Sequence, residues 1–226
     1  MVREELQRTA KLLGENAVER LARVKIAVFG LGGVGGHAAE ALVRTGVGAL
    51  DIIDGDTVAL SNLNRQLVAL HSTVGQLKTD VCEKRFLDIN PELSLRKFPL
   101  FFGEETEGQF DFTEYDYVVD CIDDVAAKVL LAETCARKNV RIISSMGAGN
   151  KLNPMGFKVA DIYETSVCPL ARVMRQRLRK AGVERLRVVY STEEPVITER
   201  TPASCAYVPS AAGLLMAATV IDELTR

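Results

Sequence analysis

The sequence has few of the residues that build a structural zinc site. It contains two histidines, His37 and His71, and five cysteines, none of which form a C-x-x-C pair. A structural zinc ion needs four well-placed ligands, and no such cluster is apparent in the sequence. The odd number of scattered cysteines also argues against a disulfide framework, so we expect free thiols in a reducing cytoplasm.

The sequence also lacks an excess of either charge. It has 28 Lys and Arg against 30 Asp and Glu, a net charge of −2, so any nucleic-acid surface would be a local basic patch. The polar N-terminus does not resemble a secretory signal. The longest late apolar run, residues 211–221, is shorter than the roughly 20 residues that span a bilayer. We therefore expect no membrane association.

Apolar runs alternate with helical patterns along the chain, and 47% hydrophobic content supports one domain with a sizeable core. After an amphipathic helical region over 3–22, broken near Gly14, the patterns predict strands over 24–29, 49–53, 93–98, 117–121, 140–144, 157–162 and 185–190. They predict helices over 33–45, 77–89, 124–137, 169–181 and 209–225, with a polar loop before the last helix that extends to 204. This order predicts an α/β, Rossmann-like, doubly wound and mostly parallel sheet with helices on both faces.

We expect residues 1–150 to bind the nucleotide and residues 151–226 to form a C-terminal substrate-side lobe of the same domain. A glycine-rich loop follows the first strand and contains Gly30, Gly32, Gly33 and Gly35. A strand, glycines and a helix in this order place backbone N–H groups and the positive helix end against phosphate. Asp54 lies 19 residues after Gly35 (54 − 35) and can accept a hydrogen bond from a ribose hydroxyl, with Asp56 in the same turn. The loop alone suits NAD as well as ATP.

Polar and cationic residues follow this turn. Asn62, Arg65 and Gln66 share one loop, and Lys78 lies at the start of the next helix. The planar fork of arginine and the point charge of lysine suit a polyphosphate. A single cation of this kind is more often a solvated surface charge, but the group together favours binding.

Two carboxylates follow the buried strand that ends at Cys121. Ligands bind at this carboxyl edge in open α/β sheets, and Mg²⁺ prefers one or two carboxylates together with phosphate oxygens. We expect Asp123 to hold Mg²⁺ and Asp124 to cap the following helix, although either could be only a cap.

Taken in order, these motifs resemble those of the ThiF/MoeB/HesA adenylating enzymes, which are related to ubiquitin-activating enzymes. The resemblance covers the first 150 residues and includes Arg8 before Leu-Leu-Gly, the glycine loop, residues 54–58, residues 61–66, residues 75–78 and residues 121–123.

The resemblance implies a role for each matched position. It places ATP on the glycine loop with its ribose at Asp54, and it makes Arg65, Lys78 and Asp123 the catalytic residues, with Mg²⁺ on Asp123. It adds Arg8, Asp56, Asn62 and Gln66 to the nucleotide site. It also implies a homodimer in which some of these groups reach across the interface.

The second half resembles the tRNA threonylcarbamoyladenosine dehydratases over residues 144–151, 161–162, 169–175, 189–195 and 208–213. This implies an enzyme that adenylates the threonyl carboxylate of a modified adenosine in tRNA and promotes its cyclisation with loss of water. A monovalent cation at residues 147–150 and a sulfur-transfer partner protein are further possibilities in this branch.

Two alternatives stay open. The chain could adenylate the C-terminal glycine of a ubiquitin-like sulfur-carrier protein, but such enzymes usually carry two C-x-x-C pairs that are missing here. It could also be a non-catalytic ATP-binding scaffold, against which Arg65, Lys78 and Asp123 argue.

A basic helix and two cysteines complete the candidates. Arg172, Arg175 and Arg179 share one helical face, opposite an apolar face made of Leu170, Val173, Met174 and Leu178. Such a stripe is either a solvated face or a contact for tRNA phosphates, and the resemblance favours tRNA. Cys168 and Cys205 have no histidine nearby in sequence, so we expect both to be small buried residues and not nucleophiles.

Overall fold

A single seven-stranded sheet forms the centre of the computed structural model, which describes residues 2–197 and 202–226. The strands are β1 (Lys25–Phe29), β2 (Ala49–Ile53), β3 (Ser94–Phe98), β4 (Tyr117–Asp120), β5 (Ile142–Ser145), β6 (Phe157–Asp161) and β7 (Arg187–Ser191). Their order is β3-β2-β1-β4-β5-β7-β6, and every neighbouring pair is parallel except β6 and β7. The predicted, mostly parallel doubly wound sheet is confirmed. Residues 198–201 of the predicted polar loop lie outside the described residues.

Helices cover both faces of this sheet, as predicted. They are α1 (Gln7–Leu13), α2 (Glu15–Leu21), α3 (Gly35–Thr45), α4 (Lys78–Ile89), α5 (Val125–Lys138), α6 (Pro169–Lys180) and α7 (Tyr207–Thr225). Buried side chains of α3, α4 and α7 share one core cluster with the strands, whereas those of α5 lie mainly in a second cluster and those of α6 in a third. Strands buried on both faces read as continuous apolar runs, which is why β1 and β4 were recognisable in the sequence.

Local chemistry sets the helix ends. Gly14 separates α1 from α2 at a φ of 90°, and Gly46 and Asn139 end α3 and α5 in the left-handed region, which glycine and asparagine tolerate. The last helix begins two residues before its predicted start at Pro209. Proline fits there because backbone N–H groups in the first turn have no partner within the helix.

Helix α7 is long and apolar enough, by length and composition, to cross a membrane. In the structure it packs along α3 instead, with Val208, Ala212, Met216 and Val220 buried in the core. The contact is close at Gly213, where a Cβ atom would lie 2.3 Å from the Val34 carbonyl oxygen. This packing explains its apolar sequence by burial within the protein.

Candidate active site at the carboxyl ends of the parallel strands

A cavity of about 880 Å³ lies at the carboxyl ends of β1 and β4. The two strands are neighbours, with Phe29 paired to Asp120, and β2 and β5 continue the sheet in opposite directions. Such a reversal of strand order opens a crevice for ligands in α/β sheets. The predicted nucleotide side and the predicted substrate side both contribute to the walls of this one cavity.

The glycine loop joins β1 to α3 along this crevice. Gly30 has a φ of +89°, and a Cβ atom there would lie 2.6 Å from the Cys121 carbonyl oxygen. A Cβ atom at Gly35 would lie 1.8 Å from the Gly30 carbonyl oxygen. Gly30 therefore lets the loop approach the backbone that follows β4, and Gly35 lets α3 begin against the Gly30 carbonyl. At Gly32 the nearest atom would be Nε2 of Gln66 at 3.8 Å. Nothing in the protein fold therefore demands a glycine at position 32, which faces the cavity.

Asp54 follows β2 and is buried at the cavity wall, with 8% of its surface exposed. It accepts hydrogen bonds from the backbone N–H groups of Leu31 at 2.7 Å and Asp56 at 2.8 Å. Burial raises the pKa of its carboxyl group, and the charge of Lys78 opposes that rise. A carboxylate has room for further hydrogen bonds beyond these two, so Asp54 can still accept from a ligand hydroxyl.

Lys78 is the first residue of α4 and is 4% exposed. Its Nζ lies 2.7 Å from Oδ2 of Asp56 and 3.8 Å from Oδ2 of Asp54. An isolated bridge between Thr57 and Leu77 brings the two segments together. The structure thus places Asp56 next to Lys78, the residue predicted to bind phosphate, and makes Asp56 the counter-ion of that lysine.

The 61–66 loop lies next to the glycines. Oδ1 of Asn62 accepts a hydrogen bond from the Ala59 N–H at 3.0 Å, and its backbone oxygen accepts from the N–H groups of Arg65 and Gln66. Arg65 is half-buried and its Nη1 donates to the Ser61 carbonyl oxygen at 2.9 Å. Gln66 is 9% exposed, and its Oε1 has no hydrogen-bond partner among the described residues. All three predicted residues, Asn62, Arg65 and Gln66, line the cavity.

The two acidic residues after β4 differ in their contacts. Asp124 accepts a hydrogen bond from the Ala127 N–H at 2.8 Å and caps α5, as predicted. Asp123 is exposed at the cavity wall, and within residues 2–197 and 202–226 its carboxylate has no hydrogen bond or ion pair. The structure therefore separates the cap from the carboxylate that faces the cavity.

A buried ion pair lies beneath this turn. Nζ of Lys128 lies 2.8 Å from Oδ2 of Asp120, at an angle outside hydrogen-bond geometry, and both side chains are fully buried. Asp120 also accepts hydrogen bonds from Ser144 Oγ at 2.5 Å and from the Ile122 N–H at 3.1 Å. These contacts hold the turn that carries Asp123. A lysine within the apolar face of a helix is the sequence signal by which this pair could have been found.

The second side of the cavity comes from residues 145–149 and from the C-terminal lobe. The lobe contributes Leu170, Pro202, Ser204 and Pro209. Gly149 packs against Pro202, where a Cβ atom would lie 2.8 Å from Cβ of that proline. Separate segments build this side, so the sequence offered no local spacing that would unite them.

Phe101 was not predicted as a site residue. It lines the cavity with 68% of its surface exposed, and its ring lies over Gly55, where a Cβ atom would be 2.7 Å away. An aromatic ring left exposed in a nucleotide-sized cavity is suited to stacking on a base. The Leu-Phe-Phe run after β3 is the only sequence signal for it.

Arg8 does not join the other predicted residues. It is exposed on α1 and is absent from the walls of the cavity in its own chain. Its predicted contact with nucleotide phosphates is therefore not made by this chain's own fold as described.

The basic helix α6 differs from its predicted pattern. Nη1 of Arg175 donates to the Thr165 carbonyl oxygen at 2.9 Å, and the Arg179 guanidinium lies 5.1 Å from the centre of the Tyr163 ring. Arg172 stays exposed. Val173 of the predicted apolar face is 39% exposed, whereas Met174 and Leu178 of that face are buried. Part of the predicted stripe is thus engaged within the chain.

The two cysteines also divide. Cys168 is 2% exposed, which confirms the prediction of a small buried residue. Cys205 is only half-buried, so that prediction is wrong for it. Its neighbours Pro202 and Ser204 line the cavity, so this segment is not enclosed within the core.

Comparison with known proteins places these features in a family. Residues 5–226 match the ThiF family. The tRNA threonylcarbamoyladenosine dehydratase of Bacillus subtilis strain 168 is 39% identical over 241 residues, covering 98% of this chain and 95% of that protein. The Escherichia coli K12 protein of the same name is 38% identical over 216 residues, covering 91% of this chain and 80% of that protein.

Solved structures agree with these relatives. The structure of E. coli tRNA N6-threonylcarbamoyladenosine dehydratase, TcdA, in complex with ATP has a TM-score of 0.93 at 34% identity, covering 98% of this chain and 94% of that chain. E. coli MccB with ATP has a TM-score of 0.70 at 21% identity, and that likeness supports the fold alone.

Proposed function

Because the chain belongs to the ThiF family, we propose that it is an ATP-dependent tRNA threonylcarbamoyladenosine dehydratase. One observation carries the proposal. A single cavity combines a nucleotide side, containing Asp54, Arg65 and Lys78, with a second side built by the lobe that resembles the dehydratases. Relatives with this name align over almost the entire chain. The predicted family and activity are therefore the ones we adopt.

The proposed chemistry has two steps. An oxygen of the threonyl carboxylate attacks the α-phosphorus of ATP, pyrophosphate leaves, and an acyl-adenylate forms. The carbamoyl group of the same nucleoside then attacks the activated carbonyl carbon and loses a proton, and AMP leaves with the former carboxylate oxygen. The nucleoside loses the elements of one water. Ring closure is intramolecular, so no thioester to a cysteine is needed.

Fixed charges do the catalytic work in this proposal. Negative charge builds on the α-phosphate and on the leaving pyrophosphate, and preorganised cations lower the barrier without a protein nucleophile. Arg65 and Lys78 are the cations of the cavity wall in the described chain. The N–H groups of the glycine loop support the phosphates, and Asp54 accepts from the ribose.

Asp123 fits a magnesium site. Its carboxylate is exposed at the cavity wall and engages no described residue, whereas Asp54 and Asp56 both lie near Lys78. When bound, Mg²⁺ would be held by Asp123 and phosphate oxygens and would neutralise part of the phosphate charge. The monovalent cation predicted at residues 147–150 stays a prediction.

The proposal includes a homodimer. Arg8 is exposed on α1 and lies away from its own cavity, so its predicted phosphate contact requires a second copy. Sedimentation of the purified protein measures the assembly. We expect a dimer. We also expect Arg8→Ala to weaken ATP binding while the protein remains a dimer. A monomer that binds ATP equally well with Ala at position 8 would refute both statements.

We place the tRNA on the exposed part of α6. Leu170, at the start of this helix, lines the second side of the cavity, and Arg172 and Arg179 lie further along the same helix. Phosphates next to the modified nucleoside would therefore pass a positive surface. Arg175 contributes less than predicted, because it is bonded to Thr165.

The deciding experiment incubates the protein with ATP, Mg²⁺ and threonylcarbamoyl-modified tRNA. Mass spectrometry of the digested tRNA should show a nucleoside that has lost one water. Arg65→Ala should yield none, whereas Arg44→Ala, a matched arginine on α3 paired with Glu40, should retain activity. Unchanged tRNA together with adenylation of a carrier protein would favour the alternative function.

Sequence coverage argues against that alternative. The adenylyltransferase and sulfurtransferase UBA4 of Candida glabrata aligns with 58% of this chain, compared with 98% for the Bacillus dehydratase. A non-catalytic scaffold would not require Arg65, Lys78 and Asp123 to line the same cavity. Cytoplasmic location and a sulfur-transfer partner stay predictions.

A further inference from the structure

Asn64 belongs to the 61–66 loop, and the mechanism above assigns it no role. Its Oδ1 accepts a hydrogen bond from Nη1 of Arg65 at 2.9 Å, and its Nδ2 donates to the carbonyl oxygen of Ser204 at 2.9 Å. Arg65 lines the nucleotide side of the cavity and Ser204 lines the second side. One amide therefore joins two segments that lie 140 residues apart in sequence.

The chemistry of its two partners sets the orientation of this amide. A guanidinium only donates hydrogen bonds, and a backbone carbonyl oxygen only accepts them. The side chain at position 64 must therefore offer an acceptor to Arg65 and a donor to Ser204. Asparagine offers both at this length. Aspartate would keep the acceptor but would bring a negative oxygen against the carbonyl of Ser204.

The Ser204 segment is fastened on a second side as well. Ala203 donates its N–H to Oδ1 of Asn150 at 2.7 Å, and its carbonyl oxygen accepts from the Asn150 N–H at 2.8 Å. The segment thus lies between two asparagines. Asn150 connects it to the loop after β5, and Asn64 connects it to the arginine of the nucleotide side.

We propose that Asn64 is a positioning residue that couples phosphate binding by Arg65 to the position of the Ser204 segment on the substrate side. The proposal deepens the proposed function and rests on it for the identity of the substrate. A phosphate that orders the Arg65 guanidinium also orders the Oδ1 of Asn64. Through Nδ2, the same amide then holds the wall against which the nucleoside is placed.

Hydrogen exchange at residues 203–206 of the full chain, with and without ATP and Mg²⁺, tests the coupling without any need for turnover. In the unmodified protein, ATP should slow exchange of these amides. In Asn64→Asp, ATP affinity should fall by no more than about threefold, because the acceptor for Arg65 remains although its new charge competes with phosphate for that arginine. The slowing at 203–206 should be lost. Asn64→Ala, which removes both contacts, should lose the slowing and weaken ATP binding by about fivefold.

Steady-state kinetics supply a second readout. Asn64→Asp should raise KM for modified tRNA by about fivefold, the effect of one hydrogen bond, with a smaller change in kcat. Asn16→Asp introduces the same charge on the exposed face of α2 and should leave KM and exchange unchanged.

Retained ATP-dependent slowing in Asn64→Asp, or an unchanged KM for tRNA, would overturn the proposal. Failure of the proposed function gives a different pattern. If the unmodified protein leaves tRNA unchanged, yet ATP slows exchange at 203–206 only when position 64 is Asn, the coupling stands and the substrate is wrong.

Discussion

Nζ of Lys78 lies 2.7 Å from a carboxylate oxygen of Asp56, so this buried cation on the nucleotide side of the cavity has its counter-ion next to it. A buried ammonium without a partner would be costly, and this pairing explains why Lys78 is tolerated at 4% exposure. The Asp56 side chain itself is half exposed. A phosphate bound at Lys78 would therefore share this lysine with Asp56.

Variants at these two positions should have opposite effects. Lys78→Met removes the charge and should lower ATP–pyrophosphate exchange, measured with modified tRNA, by about 100-fold or more. Asp56→Asn removes the competitor and should tighten ATP binding by about threefold in calorimetry. Lys97→Met, whose ion pairs with Asp80 and Glu83 lie outside the cavity, is the control. Near-normal exchange in Lys78→Met would remove this lysine from catalysis.

Asp54 should make folding stability depend on pH in an unusual direction. Its folded pKa lies above the ordinary value of 3.8, so between the two values the folded state binds more protons than the unfolded state. As the pH falls through that window, this group adds stability. Urea unfolding of the unmodified protein and of Asp54→Asn at about pH 7 and about pH 4.5 measures the effect. The difference in free energy of unfolding should move in favour of the unmodified protein at the lower pH. A constant difference would contradict the shift.

Substitutions of the neighbouring residues Asp123 and Asp124 should affect different properties, the first the dependence on Mg²⁺ and the second the stability. Asp123→Ala should raise the Mg²⁺ concentration needed for half-maximal activity while leaving the melting temperature nearly unchanged. Asp124→Ala should cost about 1 kcal/mol of stability through loss of the cap on α5, with unchanged Mg²⁺ dependence. Titrations of Mg²⁺ and thermal unfolding of both variants test this pair. Equal Mg²⁺ curves for both would place the metal elsewhere.

Two glycines of the same loop should fail in different ways. Gly35→Ala forces a Cβ atom to within 1.8 Å of the Gly30 carbonyl oxygen and should cost at least about 3 kcal/mol of stability. Gly32→Ala meets no closer atom than 3.8 Å, so its stability should change by less than about 1 kcal/mol. It should still weaken ATP binding by about tenfold, because the methyl group enters the cavity. Denaturant unfolding and calorimetry tell these outcomes apart, and unimpaired ATP binding by Gly32→Ala would move the phosphates away from this position.

Substitution of two arginines of α6 should have different effects, one on tRNA binding and the other on stability. Arg172→Ala should weaken tRNA binding and reduce the slope of log affinity against log salt by about 1, with normal stability. Arg175→Ala should destabilise the fold by about 1 kcal/mol through loss of its bond to Thr165. Filter binding at several salt concentrations, with thermal unfolding beside it, measures both. If the salt slope of Arg172→Ala equals that of the unmodified protein, the tRNA surface is not on this helix.

Much of the nucleotide side could be predicted from sequence, because its residues follow strand ends at regular spacing. Gly30, Asp54 and Asp123 each come just after a buried parallel strand, and parallel strands end at one edge of a sheet. Gln66 and Lys78 lie in two further motifs, residues 61–66 and residues 75–78. Their meeting in one cavity follows from topology that the alternation of strands and helices already predicts.

The substrate side was less predictable for a physical reason. Gly149, Leu170 and Ser204 come from three separate segments, and no periodicity or spacing connects them. The pairing of Lys78 with Asp56 and the bonding of Arg175 to Thr165 likewise depend on tertiary contacts. Sequence patterns show that a charge is present, but its partner is determined only when distant segments pack.

The close approach of α7 to α3 at Gly213 and Val34 has a consequence for the nascent chain. The helix that begins at the glycine loop is packed against an element synthesised about 170 residues later, so the ribosome exposes the glycine motif long before its supporting helix exists. We expect a translation intermediate arrested before Tyr207 not to retain ATP. The residues of the nucleotide site are translated first, but the site is complete only when the last helix has been made.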